Sequence, residues 1–419
     1  MTMIKVKEQE LRFIVDKAVS EVNITDVHTH LYTAGFDDLL LWGVDELLTY
    51  HYLVAETFRY TEMSYDEFWE LTKREQADII WKTLFIENSP ISESCRGILT
   101  VLKKLRLDVS SRNLDSFREY FDNLTVDEYI NIVFETSGVK EVVMTNDPFD
   151  DIERSVWEKG FDKDERFLAA LRIDSLLNVW DKVCPRLKSW GYNVEESLSD
   201  ETLSEVRRFL IYWVEKMEAL YMAVSLPPSF CFPEDSSRAK LIENCVLPVC
   251  KELNIPFAMM IGVKKLTNPD LQLAGDSVGK SDIDTVEYLC ANYPQNKFMV
   301  TMLARENQHE LCVTARKFRN LLVFGCWWFL NNPSLIDEIT RMRFELIGLS
   351  VIPQHSDARV LDQLVYKWTH SRVIIANVLY DKYKDLVETG WTISEEEIKR
   401  DVEKLFGGAF WDFVKKDFK

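Results

Sequence analysis

The chain has 419 residues, 47% of them hydrophobic and rich in Phe and Trp, which is enough apolar material for a large packed interior and excludes a disordered chain. Its formal charge of −19 excludes the basic face that DNA or RNA phosphates require, although a local pair of arginines can still bind a small anionic metabolite. No apolar run approaches about 20 residues without a charge, so no membrane span is expected.

The opening stretch MTMIKVKEQELRFIVDKAVSEV is amphipathic and lacks the apolar core and cleavage site of a secretory signal. Eight cysteines contain no CxxC pair, and Cys245 and Cys250 fall on different faces of a helix, so the thiols read as reduced and mostly buried. A cytoplasmic protein is expected.

Eight candidate strands alternate with amphipathic segments. In order they are Val22–His30, Val139–Thr145, Phe167–Asp174, Tyr221–Leu226, Pro256–Val263, Lys297–Leu303, Leu321–Trp327 and Gly348–Gln354. Eight strands with helical connections predict an α/β fold closed as a (β/α)8 TIM-like barrel. The first gap is far longer than a loop and one helix require. Its Ser- and Asp-capped helical periodicity predicts a helical subdomain over 31–138, after an N-terminal helix and first strand in 1–30 and before the rest of the barrel and C-terminal helices in 139–419.

The first strand ends Asp26-Val27-His28-Thr29-His30. Residues two apart on a strand share a face, so both imidazoles can point into the barrel mouth and bind one divalent cation, Zn²⁺ being well suited. The third strand ends Arg172-Ile173-Asp174, where the arginine serves either a substrate anion or a salt bridge across the rim. The fourth strand, YMAVSLPP, has no Lys or Glu to bridge two metals, which predicts a mononuclear site. At the close of the eighth strand, Asp357 can complete the metal site and serve as a base and Arg359, if it faces the same cavity, can offer a bidentate fork to a carboxylate, the alternative being an ordinary Asp–Arg loop pair. His51-Tyr52 reads as helix packing and Gly325-Cys326-Trp327-Trp328-Phe329 as aromatic core. No nucleotide-binding or serine-hydrolase motif is present.

The segments TDVHTHL (25–31), LLTYHYL (47–53), TNDPFDD (145–151), LRID (171–174), GCWWF (325–329) and SDAR (356–359) together resemble the uronate isomerase family of the amidohydrolase superfamily over nearly the whole chain. The resemblance implies His28, His30 and Asp357 as metal ligands, His51 and Tyr52 near the sugar hydroxyls, Arg172 and Arg359 around the uronate, and Trp328 lining the pocket. It implies isomerisation of D-glucuronate to D-fructuronate and D-galacturonate to D-tagaturonate through a cis-enediol, with Asp357 as base and the acid open between Tyr52 and His51. One divalent metal (Zn²⁺, or Mn²⁺ or another ion) and no organic cofactor are implied, with a small hexuronate as partner, no nucleic acid or membrane, and a homo-oligomer left open. One departure marks a divergent branch: the family's fifth-strand H-x-G reads Met260-Ile261-Gly262, with Lys264 and Lys265 following. Metal-dependent hydrolysis or decarboxylation of a carboxylate-bearing substrate is the alternative, and a sugar-acid sensor without turnover a third reading.

Overall fold

The structure is a computed structural model and describes residues 8–418; residues 1–7, at the start of the expected N-terminal helix, and Lys419 lie outside the described residues. Seven parallel strands form the main sheet in the order β1-β2-β3-β4-β5-β8-β9. They are β1 (Ile24–Thr29), β2 (Val139–Asn146), β3 (Phe167–Arg172), β4 (Met222–Leu226), β5 (Phe257–Ile261), β8 (Phe298–Met302) and β9 (Leu321–Val323). Each falls within an expected strand or extends it by one residue. β1, β5, β8 and β9 are buried at every position, the burial of a parallel sheet covered on both faces.

The eighth candidate is reduced to a single bridge between Phe324 and Ile352. Pro353 supplies no N–H, so a regular ladder cannot continue. The segment still joins both sides: Ile352 N donates to the Val323 carbonyl at 3.1 Å, and Asp357 N donates to the His28 carbonyl at 3.1 Å.

The sheet is strongly curled. Three strand spacings separate β4 from β1, about 14 Å if flat, which exceeds the reach of a tyrosine, yet Tyr221 at the foot of β4 donates its hydroxyl to the Val27 carbonyl at 2.7 Å. Inside the curl lies an apolar cluster that includes Val27, Ala170, Ala223, Met260, Met299 and Phe324. Outside it, one larger core runs from the sheet through the covering helices.

Every regular element between β1 and β2 is helical. Ser64, Thr72 and Thr125 start three of these helices with reciprocal capping boxes to Glu67, Glu75 and Glu128. The apolar faces of the helices in this stretch, Phe68, Ile80, Ile98 and Phe117 among them, belong to the same core as the sheet's outer face. The stretch is also tied to the sheet end directly: Leu41 bridges Val360, and Leu361 N donates to the Leu41 carbonyl at 2.9 Å. A short antiparallel pair, β6 (Val263–Lys264) and β7 (Ser277–Val278), carries a turn whose Asp270 carbonyl accepts from Trp69 Nε1 at 2.8 Å. All the cysteines are free, and all but Cys231 are buried. No helix among the described residues is long and apolar enough to cross a membrane.

Candidate active site

At the carboxyl end of β1 the sequence brings His28 and His30 to one face, and the segment beyond Ile352 brings Asp357 against them. His28 Nε2 lies 3.7 Å and His30 Nε2 3.3 Å from Asp357 Oδ1. Among the described residues, these three form a group whose ligand atoms all lie within 4.8 Å of one another. Burial lowers the His28 pKa to about 3, with the neighbouring His30 adding to the effect. His30 is lowered by burial and then by the charges of Arg359 and Arg172. Both imidazoles are therefore neutral and offer lone pairs. His28 Nε2 and Asp357 Oδ1 are buried without a hydrogen-bond partner. Two imidazole nitrogens and a carboxylate oxygen are a donor set suited to a divalent cation of borderline softness, so these residues fit one.

Asp357 sits at φ +52°, a left-handed conformation that costs an ordinary L-residue about 1–2 kcal/mol. The residue before it is clamped at both of its main-chain polar groups. Ser356 N donates to Asp26 Oδ1 at 3.0 Å, and the Ser356 carbonyl accepts from Lys367 Nζ at 2.5 Å. Trp368 Nε1 in turn donates to Asp26 Oδ2 at 2.8 Å. Burial raises the Asp26 pKa and pushes Lys367 down to about 8, so the clamp is made of groups that the surrounding apolar packing has taken from water.

The two arginines are not equivalent. Arg172, at the end of β3, is held by Asp174 through Nε at 3.0 Å and Nη2 at 3.1 Å. The charge of Arg172 also opposes the rise of the buried Asp147 carboxyl, whose pKa burial lifts to about 6. Among the described residues, Arg359 has no hydrogen bond or ion pair from its guanidinium, although its charge acts on His30 and His51.

His51 opens the helix His51–Thr57, directly after the extended Tyr50. Neither His51 nor Tyr52 thus has a preceding helical turn to direct it, and both reach the site despite the divergence expected of adjacent helical residues. Their rings are 4.5 Å apart, and His51 meets the edge of Trp328 at 5.5 Å. Burial holds His51 neutral and keeps the Tyr52 hydroxyl protonated. Trp328, at φ +47°, stacks on Phe329 at 4.9 Å. Lys265 lies over the Trp328 ring at 5.8 Å and pairs with Asp276 at 2.6 Å. Both His51 nitrogens, the Tyr52 hydroxyl and Trp328 Nε1 are buried without a hydrogen-bond partner. Polar atoms of this kind are rare in cores and mark surfaces that bind ligands.

The sequence reading passed over His355. It is fully buried, neither ring nitrogen has a partner, and its ring lies 5.3 Å from that of His28. Its place two residues before Asp357, on the same side of an extended segment, was the available signal. Gly325, at φ +66°, makes room for it, since an added Cβ would fall 2.2 Å from His355 Cδ2. Gly325→Ala is accordingly expected to destabilise the protein by about 2–4 kcal/mol, from left-handed strain plus overpacking. Urea denaturation checks this, and a loss below about 0.5 kcal/mol would contradict the tight contact. Met260, standing where an imidazole was expected, is buried inside the curl and pairs in register with Thr301.

No protein-family model and no curated protein sequence matches the chain. Solved structures do. A uronate isomerase from Thermotoga maritima (16% identity, TM-score 0.77, 98% of both chains) and a glucuronate isomerase from Caulobacter crescentus (15% identity, TM-score 0.74, 96% of this chain and 94% of that one) share its fold. A uronate isomerase from Bacillus halodurans superposes with a TM-score of 0.97 at 56% identity, over 99% of this chain and 98% of that one. With more than half its residues identical over nearly all of both superposed chains, the protein belongs to the uronate isomerase family and is an isomerase.

Proposed function

We propose that the protein interconverts D-glucuronate with D-fructuronate and D-galacturonate with D-tagaturonate, using one divalent cation, Zn²⁺ first among candidates, held by His28, His30 and Asp357. The observation that carries this reading is the set of buried, unpartnered polar atoms on His51, Tyr52, Trp328 and Asp357, close to the unpaired Arg359. On this reading the curled sheet and segment 351–358 form a (β/α)8 barrel. Residues 1–30 and 139–419 build that barrel and its C-terminal helices, and residues 31–138 are a helical insertion over its mouth. The enzyme works on a small molecule in the cytoplasm.

When bound, the cation supplies Lewis acidity that stabilises negative charge on a substrate oxygen. Asp357 removes the C2 proton of the open aldose, giving a cis-enediol, and returns a proton to C1. Tyr52, kept protonated by burial, moves a proton between the C1 and C2 oxygens, and neutral His51 holds the hydroxyl beside it. Arg359 grips the uronate oxygens with its free fork, while Arg172, already held by Asp174, flanks them. Trp328 packs against the sugar's apolar face.

Protein incubated with D-glucuronate or D-galacturonate and Zn²⁺ or Mn²⁺ should form the ketose, followed by NMR; release of CO2, hydrolysis or no turnover would overturn the reading. Elemental analysis should find one equivalent of metal per chain, and the His28→Ala/His30→Ala variant should lose it. Two equivalents, or unchanged metal in that variant, would refute the ligand assignment.

A further inference from the structure

The ladder between β1 and β2 slips just where the metal-site histidines lie. Asp26 pairs with Val142 and Thr29 with Met144, three residues along β1 against two along β2. A bulge of this kind bends the strand and turns main-chain groups out of the regular ladder. Side-chain hydroxyls meet two carbonyls of this stretch: Tyr221 Oη donates to Val27 at 2.7 Å, and Thr145 Oγ1 donates to Thr29 at 2.9 Å.

A hydroxyl has one proton and two lone pairs. With its proton committed to a carbonyl, each oxygen has only lone pairs to offer its other neighbour. That neighbour is an imidazole in both cases: Tyr221 Oη lies 3.2 Å from His28 Nδ1, and Thr145 Oγ1 lies 2.9 Å from His30 Nδ1. Each Nδ1 must therefore donate and carry the hydrogen, which leaves the lone pair on Nε2. Those are the two nitrogens that face Asp357 Oδ1. The same arrangement is built twice, from the foot of β4 and from the second-last residue of β2.

We propose that Tyr221 and Thr145 are positioning residues of the metal centre, holding His28 and His30 as their Nδ1–H tautomers so that both Nε2 lone pairs are aimed at the cation before it arrives. Without them each imidazole would be free to place its hydrogen on Nε2 and present no donor. The proposal rests on His28 and His30 being ligands. Tyr221 is fully buried and Thr145 nearly so, and Tyr221 packs its ring edge against Phe410 at 6.2 Å. Tyr221→Phe keeps that packing and removes only the hydroxyl; Thr145→Ser keeps the hydroxyl and Thr145→Val removes it.

Two readouts test this without using activity: the imidazole ¹⁵N shifts of the metal-free protein, which report the tautomer, and Zn²⁺ affinity by competition with a chromogenic chelator. Metal-free wild type should show the Nδ1–H form at both histidines. Tyr221→Phe and Thr145→Val should each bind Zn²⁺ about 10–100-fold more weakly, and Thr145→Ser should stay close to wild type. An Nε2–H form at either histidine in the wild type would overturn the proposal without any variant having to fold. So would wild-type Zn²⁺ affinity in folded Tyr221→Phe and Thr145→Val proteins when His28→Ala has lost the metal. If His28→Ala itself bound Zn²⁺ normally, the ligand assignment would fall, and this proposal with it.

Discussion

Asp357→Asn is expected to lower turnover of D-glucuronate by about 10²-fold or more, the usual scale for a positioned general base, while leaving the fold and much of the metal binding in place. The amide has nearly the carboxylate's shape, and Asn tolerates the left-handed backbone at φ +52° better than most residues. The Ser356 peptide, fixed by Asp26 and Lys367, stays where it is. The substitution thus removes the proton acceptor with little else disturbed. His28 and His30 continue to offer two nitrogens, and the amide oxygen remains a weaker donor, so the variant should be assayed at saturating Zn²⁺. Exchange of the C2 hydrogen into D2O, followed by NMR, isolates the proton-transfer step even if ketose release is slow. Wild-type exchange in the metal-loaded variant would assign the base elsewhere, with His51 the next candidate.

Arg359→Met is expected to cost about 1.5–3 kcal/mol in kcat/KM on glucuronate, the size of a charge-assisted hydrogen bond, with little change in thermal stability. Its guanidinium makes no ion pair among the described residues, so folding loses little when it goes. Arg172→Met should behave differently. It strips the cation from Asp174 and from beside the buried Asp147, leaving carboxylates uncompensated, so Tm should fall together with activity. Adding Asp174→Asn should restore part of the stability and no more than part of the activity. If Arg359→Met keeps kcat/KM within about twofold of wild type, substrate gripping belongs to other residues.

Much of the site was legible because it lies where strand periodicity places it. Residues two apart at the end of a strand share a face, which brings together His28 and His30, and strand ends meet at one mouth, which adds Asp357, Arg172 and Arg359. Four of the expected strands, β1, β5, β8 and β9, rested on runs that are buried at every position. What stayed hidden depends on contacts between distant segments. Asp26 has the look of an ordinary strand residue until Trp368 and Ser356 are seen around it. Tyr221 could not be connected with His28 without knowing how tightly the sheet curls. The choice at Arg172 between a substrate anion and a salt bridge was open because sequence spacing allows both; the geometry contains the salt bridge to Asp174. Helical spacing argued against His51 and Tyr52 facing one way; their rings nevertheless stand 4.5 Å apart, because the pair is at the first turn of its helix.

The bridge between Leu41 and Val360 ties the chain leading to His51 and Tyr52 directly to the residue after Arg359. The side chains that would surround the sugar are therefore joined into one main-chain frame where the helical stretch meets the end of the sheet. Such a frame pays its ordering entropy during folding, so little is left to lose when a sugar docks. Sugar preference then becomes a property of fixed shape, and shifting it calls for altered side chains on the helical stretch in preference to a more mobile loop.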